Sequence, residues 1–355
     1  MRIKLAIVVS DKNYLSRLSS TLDTIYADKL ETYYFSDFEI ALNHFRNGVR
    51  FDVLLADTDF EIDHNNFSSK VAFAYFSDSN DIETYRDKPC IGKYQKIDVI
   101  FREILRLYSE NANNNVVFKA DKESECSVVS VVSAAGGVGS STIAAALAIR
   151  KQLSGMNVIY INFEVCGSTN IFFKSPGDGD FSNVIFALKS KKTNLAFKLN
   201  SEVKRSQEGV SFFDECSIAL DKASLNFSEC EKLIDELVKN GNYNLIIIDM
   251  DFSLVDSCIK ILNKSDKVIF VSDGSELSNE KTRKSVTSIQ IMESRQEELN
   301  LLAKSVLLYN KFSSKNSVQI DDFILNTIGG INRLEGLDSY SLAKKISEYG
   351  VFDNI

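Results

Sequence analysis

The chain opens on a β-branched apolar run, Lys4–Ser10 (KLAIVVS), that reads as a buried strand. From Lys12 to Tyr26 the spacing changes, and Leu15, Leu18, Leu22 and Ile25 fall on one face of a helix. Leu30–Phe35 predicts a second strand, and Asp37 is placed to cap the helix that follows, DFEIALNHFRN. Phe51–Ala56 and Ala72–Phe76 are the third and fourth strands. Ile97, Ile100, Phe101, Ile104 and Leu105 mark an amphipathic helix closing this stretch. Strands alternating with helices imply a parallel sheet covered on both faces.

The periodicity then stops. Asn-rich ENANNN at Glu110–Asn115 and the mixed-charge KADKESE read as a connection rather than an element. It resumes at Val128–Ser133 (VVSVVS), again a buried strand. The expected organisation is a first domain over residues 1–115, a linker over 116–125 and a second domain over 126–355.

Composition narrows the class. With 355 residues the chain has length for two cores, and 44% hydrophobic residues exclude a disordered protein. A net charge of −8 makes no global case for nucleic acid. Six cysteines without a CxxC pair, and two histidines, argue against a zinc site and fit a reducing cytosol. The N-terminus lacks the pattern of a signal peptide, and no stretch approaches the about 20 apolar residues that span a bilayer.

The chemistry concentrates after Val128–Ser133. That strand runs into Ala134-Ala135-Gly136-Gly137-Val138-Gly139-Ser140-Ser141-Thr142, and a helix, Ile143–Leu153, follows and stops near Gly155. Glycines let backbone amides close on phosphate oxygens, and the helix N-terminus adds partial positive charge. Ser141 stands where a hydroxyl ligates magnesium. The plain alternative is a tight strand-to-helix turn without a ligand. Two further strands favour the phosphate loop. Leu245–Asp249 places Asp249 at a strand's carboxyl end, where it would hold magnesium through water. Ser305–Asn310 ends in an amide, Asn310, suited to a base edge. Another buried strand, VIYINFEVCG, carries Glu164 just past its end.

In register, Ala135–Thr142 resembles the GKGGxGKT loop of the ParA/MinD class of deviant Walker-A ATPases. Asn162–Gly167 matches that family's acidic stretch, Leu245–Asp249 its Walker-B strand, and Asn310 its adenine-contacting amide. The resemblance spans about 126–355 and implies a P-loop NTPase fold with a mostly parallel sheet, binding ATP and Mg2+. It implies cofactor contacts from Gly136, Gly137, Val138, Gly139, Ser140, Ser141, Thr142 and Asn310, metal contacts from Ser141 and Asp249, and a catalytic role for Glu164. The departures point the other way for turnover. The family's signature lysine falls on Ala135, its phosphate-loop lysine on Ser140, and its first switch acid on Asn162. Phosphoryl transfer rests on positioned positive charge, and each missing cation costs on the order of 2–4 kcal/mol at the transition state. The expectation is retained binding with weak or no hydrolysis.

The first domain resembles a response-regulator receiver, a flavodoxin-like α/β fold. Asp57 falls on the phosphoacceptor and Asp11 on one of the acidic pair, whose neighbour here is Ser10. Ser77 matches the hydroxyl position and Lys93 the lysine. With one acid missing, an atypical receiver used for docking is the expected reading. A receiver joined to a lysine-poor ParA/MinD-like unit resembles TadZ/CpaE-type proteins of tight-adherence (Flp) type IV pilus assembly. That resemblance implies a homodimeric scaffold in the cytoplasm, placed at a cell pole by pilus components or a polar landmark. It implies no specific nucleic acid and at most peripheral membrane association. Two alternatives stay open: a MinD/ParA-like ATPase cycling on membrane or DNA, and an output unit switched by phosphorylation of Asp57. The first would use the C-terminal Leu342–Ile355 on a membrane or the basic run Lys189–Arg205 on DNA.

Overall fold

The computed structural model describes residues 2–62, 71–79, 82, 84–111, 126–176, 179–190, 195–353 and 355. The expected linker, 116–125, lies outside the described residues. The chain forms two compact units, Met1–Lys119 with Ser190–Ser201, and Ala120–Lys189 with Glu202–Ile355.

In the first unit the strands are β1 (Ile3–Val8), β2 (Leu30–Phe35), β3 (Val53–Asp57), β4 (Ala72–Ser77), β5 (Thr84–Tyr85) and β6 (Lys88–Gly92). The helices are α1 (Lys12–Ile25), α2 (Phe38–Arg46) and α3 (Ile97–Asn111). The sheet runs β2-β1-β3-β4-β6-β5, parallel except for the β5–β6 hairpin at its edge. This is the order of a flavodoxin-like sheet, whose switch point opens between β1 and β3. Asp37 caps α2 as expected, accepting from the Glu39 amide at 2.7 Å. On α1 the buried side chains are Leu18 and Leu22, while Ile25 is half exposed, so the apolar stripe is shorter than its spacing implied. The hairpin is a departure too: Arg86 and Asp87 both take positive φ (49° and 60°), the backbone a two-residue turn needs.

The second unit begins with β7 (Ser127–Val132), α4 (Ser140–Leu153) and β8 (Val158–Asn162). Short helices follow: α5 (Thr169–Phe172), α6 (Phe181–Lys189) and α7 (Leu195–Glu202), the last lying mostly with the first unit. Then come β9 (Lys204–Arg205), β10 (Ser211–Phe212), α8 (Ala219–Ala223), α9 (Phe227–Lys239) and β11 (Leu245–Asp249). The unit closes with α10 (Asp256–Lys264), β12 (Lys267–Ser272), α11 (Glu276–Glu293), β13 (Ser305–Phe312), β14 (Asn326–Asn332) and α12 (Ser339–Ser347). The strand order is β14-β13-β12-β7-β11-β8-β10-β9, with only β9 antiparallel. Central strands are apolar almost without alternation because helices cover both faces. Helix α4 is buried over the whole of Ile143–Ile149, packed between the sheet and α12.

Two of the expectations for interaction surfaces change. The C-terminal segment spends its apolar face internally: Ala343, Ile346 and Phe352 are fully buried in the core around α4. Among the described residues no helix is long and apolar enough to cross a membrane. The basic run is not one stripe either. Lys204 is buried against Asp214, and Lys189 pairs with Glu229 at 3.3 Å; Lys191 and Lys192 lie outside the described residues.

Candidate functional site

Strand order brings the second unit's chemistry together. The chain crosses from β7 over β11 to β8, and from β11 back past β7 to β12, so a crevice opens at the carboxyl end of β7. The loop after β7 sits there. Gly137 and Gly139 have φ of 80° and 89°, a region that favours glycine. A Cβ on Gly136 or Gly137 would meet nothing within 4 Å, so these two residues border open space. Val138 and Ala135 turn inward and are buried. Ser133 Oγ ties the loop's start, accepting the Ala135 amide at 3.1 Å, with its one hydrogen shared between the Ala135 (2.7 Å) and Val271 (2.9 Å) carbonyls. Helix α4 starts at Ser140, so Ser140, Ser141 and Thr142 form its first turn, and no side chain caps it. Its leading amides are thus left for a ligand, the arrangement that binds phosphate at helix N-termini.

Asp249 ends β11 opposite Val131 of β7 and Asn162 of β8. It is fully buried. Its Oδ2 accepts from the Tyr160 hydroxyl at 2.6 Å and from Asn162 Nδ2 at 2.9 Å. Its Oδ1 is buried without a hydrogen-bond partner, the feature expected of a carboxylate waiting for a metal-bound water. Burial, then the Glu164 charge, pushes the Asp249 carboxyl up to about 7. Glu164 is likewise raised, by burial first, and receives Ser141 Oγ at 3.2 Å. Asn162 Oδ1 accepts the Glu164 amide at 2.9 Å, so the asparagine at the missing acid's position braces the other two acids. Ser141, Glu164 and Asp249 therefore form one connected cluster, and they fit a magnesium ion that takes most of its remaining ligands from phosphate and water.

Asn310 lies beyond the cluster and is buried, two residues before the end of β13, which runs past the expected strand to Phe312. Its Nδ2 donates to the Val138 carbonyl at 2.9 Å, which leaves Oδ1 as the atom for a base. A Cβ on Gly139 would stand 2.6 Å from that Nδ2, so glycine there is a steric requirement as well as a conformational one. Two residues the motif reading missed belong here. Tyr160 is one; its signal was only an aromatic in an apolar strand. The other is Lys311, whose Nζ donates to the Gly137 carbonyl at 2.8 Å.

In the first unit, Asp57 ends β3 at the β1/β3 crevice and is fully buried. Its Oδ2 accepts from the Ser10 amide (2.9 Å) and hydroxyl (3.1 Å), and Lys93 Nζ lies 2.8 Å from Oδ1. Burial pulls the Lys93 ammonium down, but Asp57 and Asp78 (2.7 Å) outweigh it and hold it above its ordinary value. Asp11 does not join this cluster. Its carboxylate caps α1 through the amides of Asn13 and Tyr14, at 2.8 and 3.2 Å. Ser77, also buried, accepts the Ser79 amide at 3.1 Å. Lys93 and Ser10 stand against the Asp57 carboxylate and its neighbouring acid is turned to a helix end, so this pocket gathers fewer carboxylate oxygens for magnesium than a receiver with both acids would.

Known proteins resemble different parts of the chain. Residues 1–109 match the family model described as the TadZ-like receiver domain. Over 199 residues the chain is 26% identical to the septum site-determining protein MinD of Buchnera aphidicola, covering 52% of this chain and 67% of that protein. The crystal structure of a ParA family ATPase from Chlorobium tepidum superposes with a TM-score of 0.52 at 18% identity, covering 65% of this chain and 97% of the other. Residues 1–109 thus match a TadZ-like receiver domain and the second unit has a ParA/MinD-like P-loop fold, a combination that fits a TadZ/CpaE-type fusion.

Proposed function

We propose that the second unit holds ATP with Mg2+ at the loop after β7, and that two copies of the chain enclose the nucleotide between their loop-bearing faces. The role is a scaffold that places a tight-adherence pilus machine, in the cytoplasm at a cell pole, through pilus components or a polar landmark. One observation carries the reading: the loop has glycines in left-handed backbone at Gly137 and Gly139 and an uncapped helix start, yet Ala135 and Ser140 stand where cations would drive hydrolysis.

Each residue has a part in holding the nucleotide. Amides from Gly137 to Ser141 orient the phosphates, Asn310 Oδ1 accepts from the base, and Ser141 and Asp249 hold the metal, Asp249 through water. Magnesium, when bound, neutralises charge on the terminal phosphates. Glu164 is the group that would orient an attacking water. Without a lysine beside the phosphates the charge developing in the transition state goes largely uncompensated, so turnover is weak or absent. Asp11 turned away to cap α1, with Ser10 in place of a second acid, supports a receiver that docks without being phosphorylated. The buried apolar face of α12 speaks against that segment as a membrane anchor. Light scattering of the full chain tests the assembly: a dimer with MgATP and a monomer without nucleotide are expected. A monomer at all nucleotide states would sink it.

A further inference from the structure

Lys311 has an uncommon backbone. Its φ of 54° lies in the left-handed region that side-chain-bearing residues avoid. The pairing of β13 with β14 slips between Tyr309 and Phe312, so Lys311 sits in that irregularity. The slip sends Asn310 and Lys311 onto adjacent carbonyls of the phosphate loop, Val138 at 2.9 Å and Gly137 at 2.8 Å. The lysine stem also crosses the loop where it enters α4: a Cβ on Gly139 would stand 3.4 Å from Lys311 Cε and 3.8 Å from Nζ. An ammonium has three donors, and Gly137 takes one.

We propose that Lys311 is the polyphosphate-recognising cation of this chain, brought to the loop from β13 to replace charge lost at Ala135 and Ser140. The inference rests on the nucleotide-holding reading above and adds the residue that distinguishes a nucleoside triphosphate from its nucleoside. The competing role is a latch that ties β13 to the loop and contributes no charge to the ligand.

Charge and latch separate experimentally. Affinities of the full chain for ATP, ADP and adenosine are measured with Mg2+ at low and high salt, with thermal melts as a fold control. Lys311→Gln keeps a donor and loses the charge; it is expected to bind ATP about tenfold more weakly, with adenosine unchanged and a flatter salt dependence. Lys311→Arg should retain ATP affinity. Lys311→Gly suits the left-handed backbone and guards against misfolding; it should lose ATP affinity as Lys311→Gln does. Wild-type ATP affinity in Lys311→Gln, or equal losses for ATP and adenosine, would overturn the assignment while leaving the nucleotide site standing. A wild-type chain that binds no nucleotide would overturn both.

Discussion

Replacing Lys93 by methionine removes the cation beside Asp57 and leaves a carboxylate with no solvent exposure. Breaking a buried ion pair from one side costs about 3–5 kcal/mol, because the remaining charge is uncompensated. Two Ser10 donors still serve Oδ2, so the low end, about 3 kcal/mol, applies here. Asp57→Asn perturbs the same pair from the other side, but Lys93 keeps Asp78 at 2.7 Å, whose side chain is 73% exposed. The cost should then fall to about 1.5–2 kcal/mol, the low end for a lost hydrogen bond to a charge, because Lys93 keeps a second acid. The double variant should cost less than the sum, with a coupling of about 1–2 kcal/mol. The chain has no tryptophan, so urea unfolding is followed by circular dichroism. Hydrogen exchange of β3 peptides isolates the first unit, since a two-unit chain need not unfold in one step. Lys93→Met as stable as Asp57→Asn would refute the view that Lys93 is the counter-ion of the buried Asp57 carboxylate. Labelling of Asp57 by a small phosphodonor would refute the docking role.

Gly139→Ala should weaken ATP binding severely and cost about 1–2 kcal/mol from the left-handed backbone alone, before its Cβ displaces Asn310; calorimetric titration and a thermal melt read the two effects. Ser140→Lys returns a cation to the first turn of α4 and should raise ATP affinity, with any gain in turnover read by phosphate release. Ile346→Ala opens a cavity between α12 and α4 and should cost about 2–5 kcal/mol, while liposome flotation stays unchanged because that face is already buried.

The elements most legible in the sequence were those whose burial is two-sided. VVSVVS, VIYIN and LIIID needed no partner to be read as strands, and each carries its functional residue at the carboxyl end. The β5–β6 hairpin was missed because Arg86-Asp87 lacks the glycine or asparagine that usually marks positive φ. Lys204 reads as part of an exposed basic run, yet it is buried on Asp214, supplied by the stretch after β10. Such pairing depends on tertiary contacts that local pattern does not encode. Lys311 was hidden for a related reason. The motif ends at Asn310, and only the strand slip turns the next residue back onto the loop.

ATP retention against ATP turnover tests the account most directly. The purified full chain is incubated with MgATP, and bound nucleotide is identified by native mass spectrometry while phosphate release is followed in parallel. The account predicts intact ATP held by a dimer with little phosphate released. Rapid turnover, or a chain that carries no nucleotide, would contradict it.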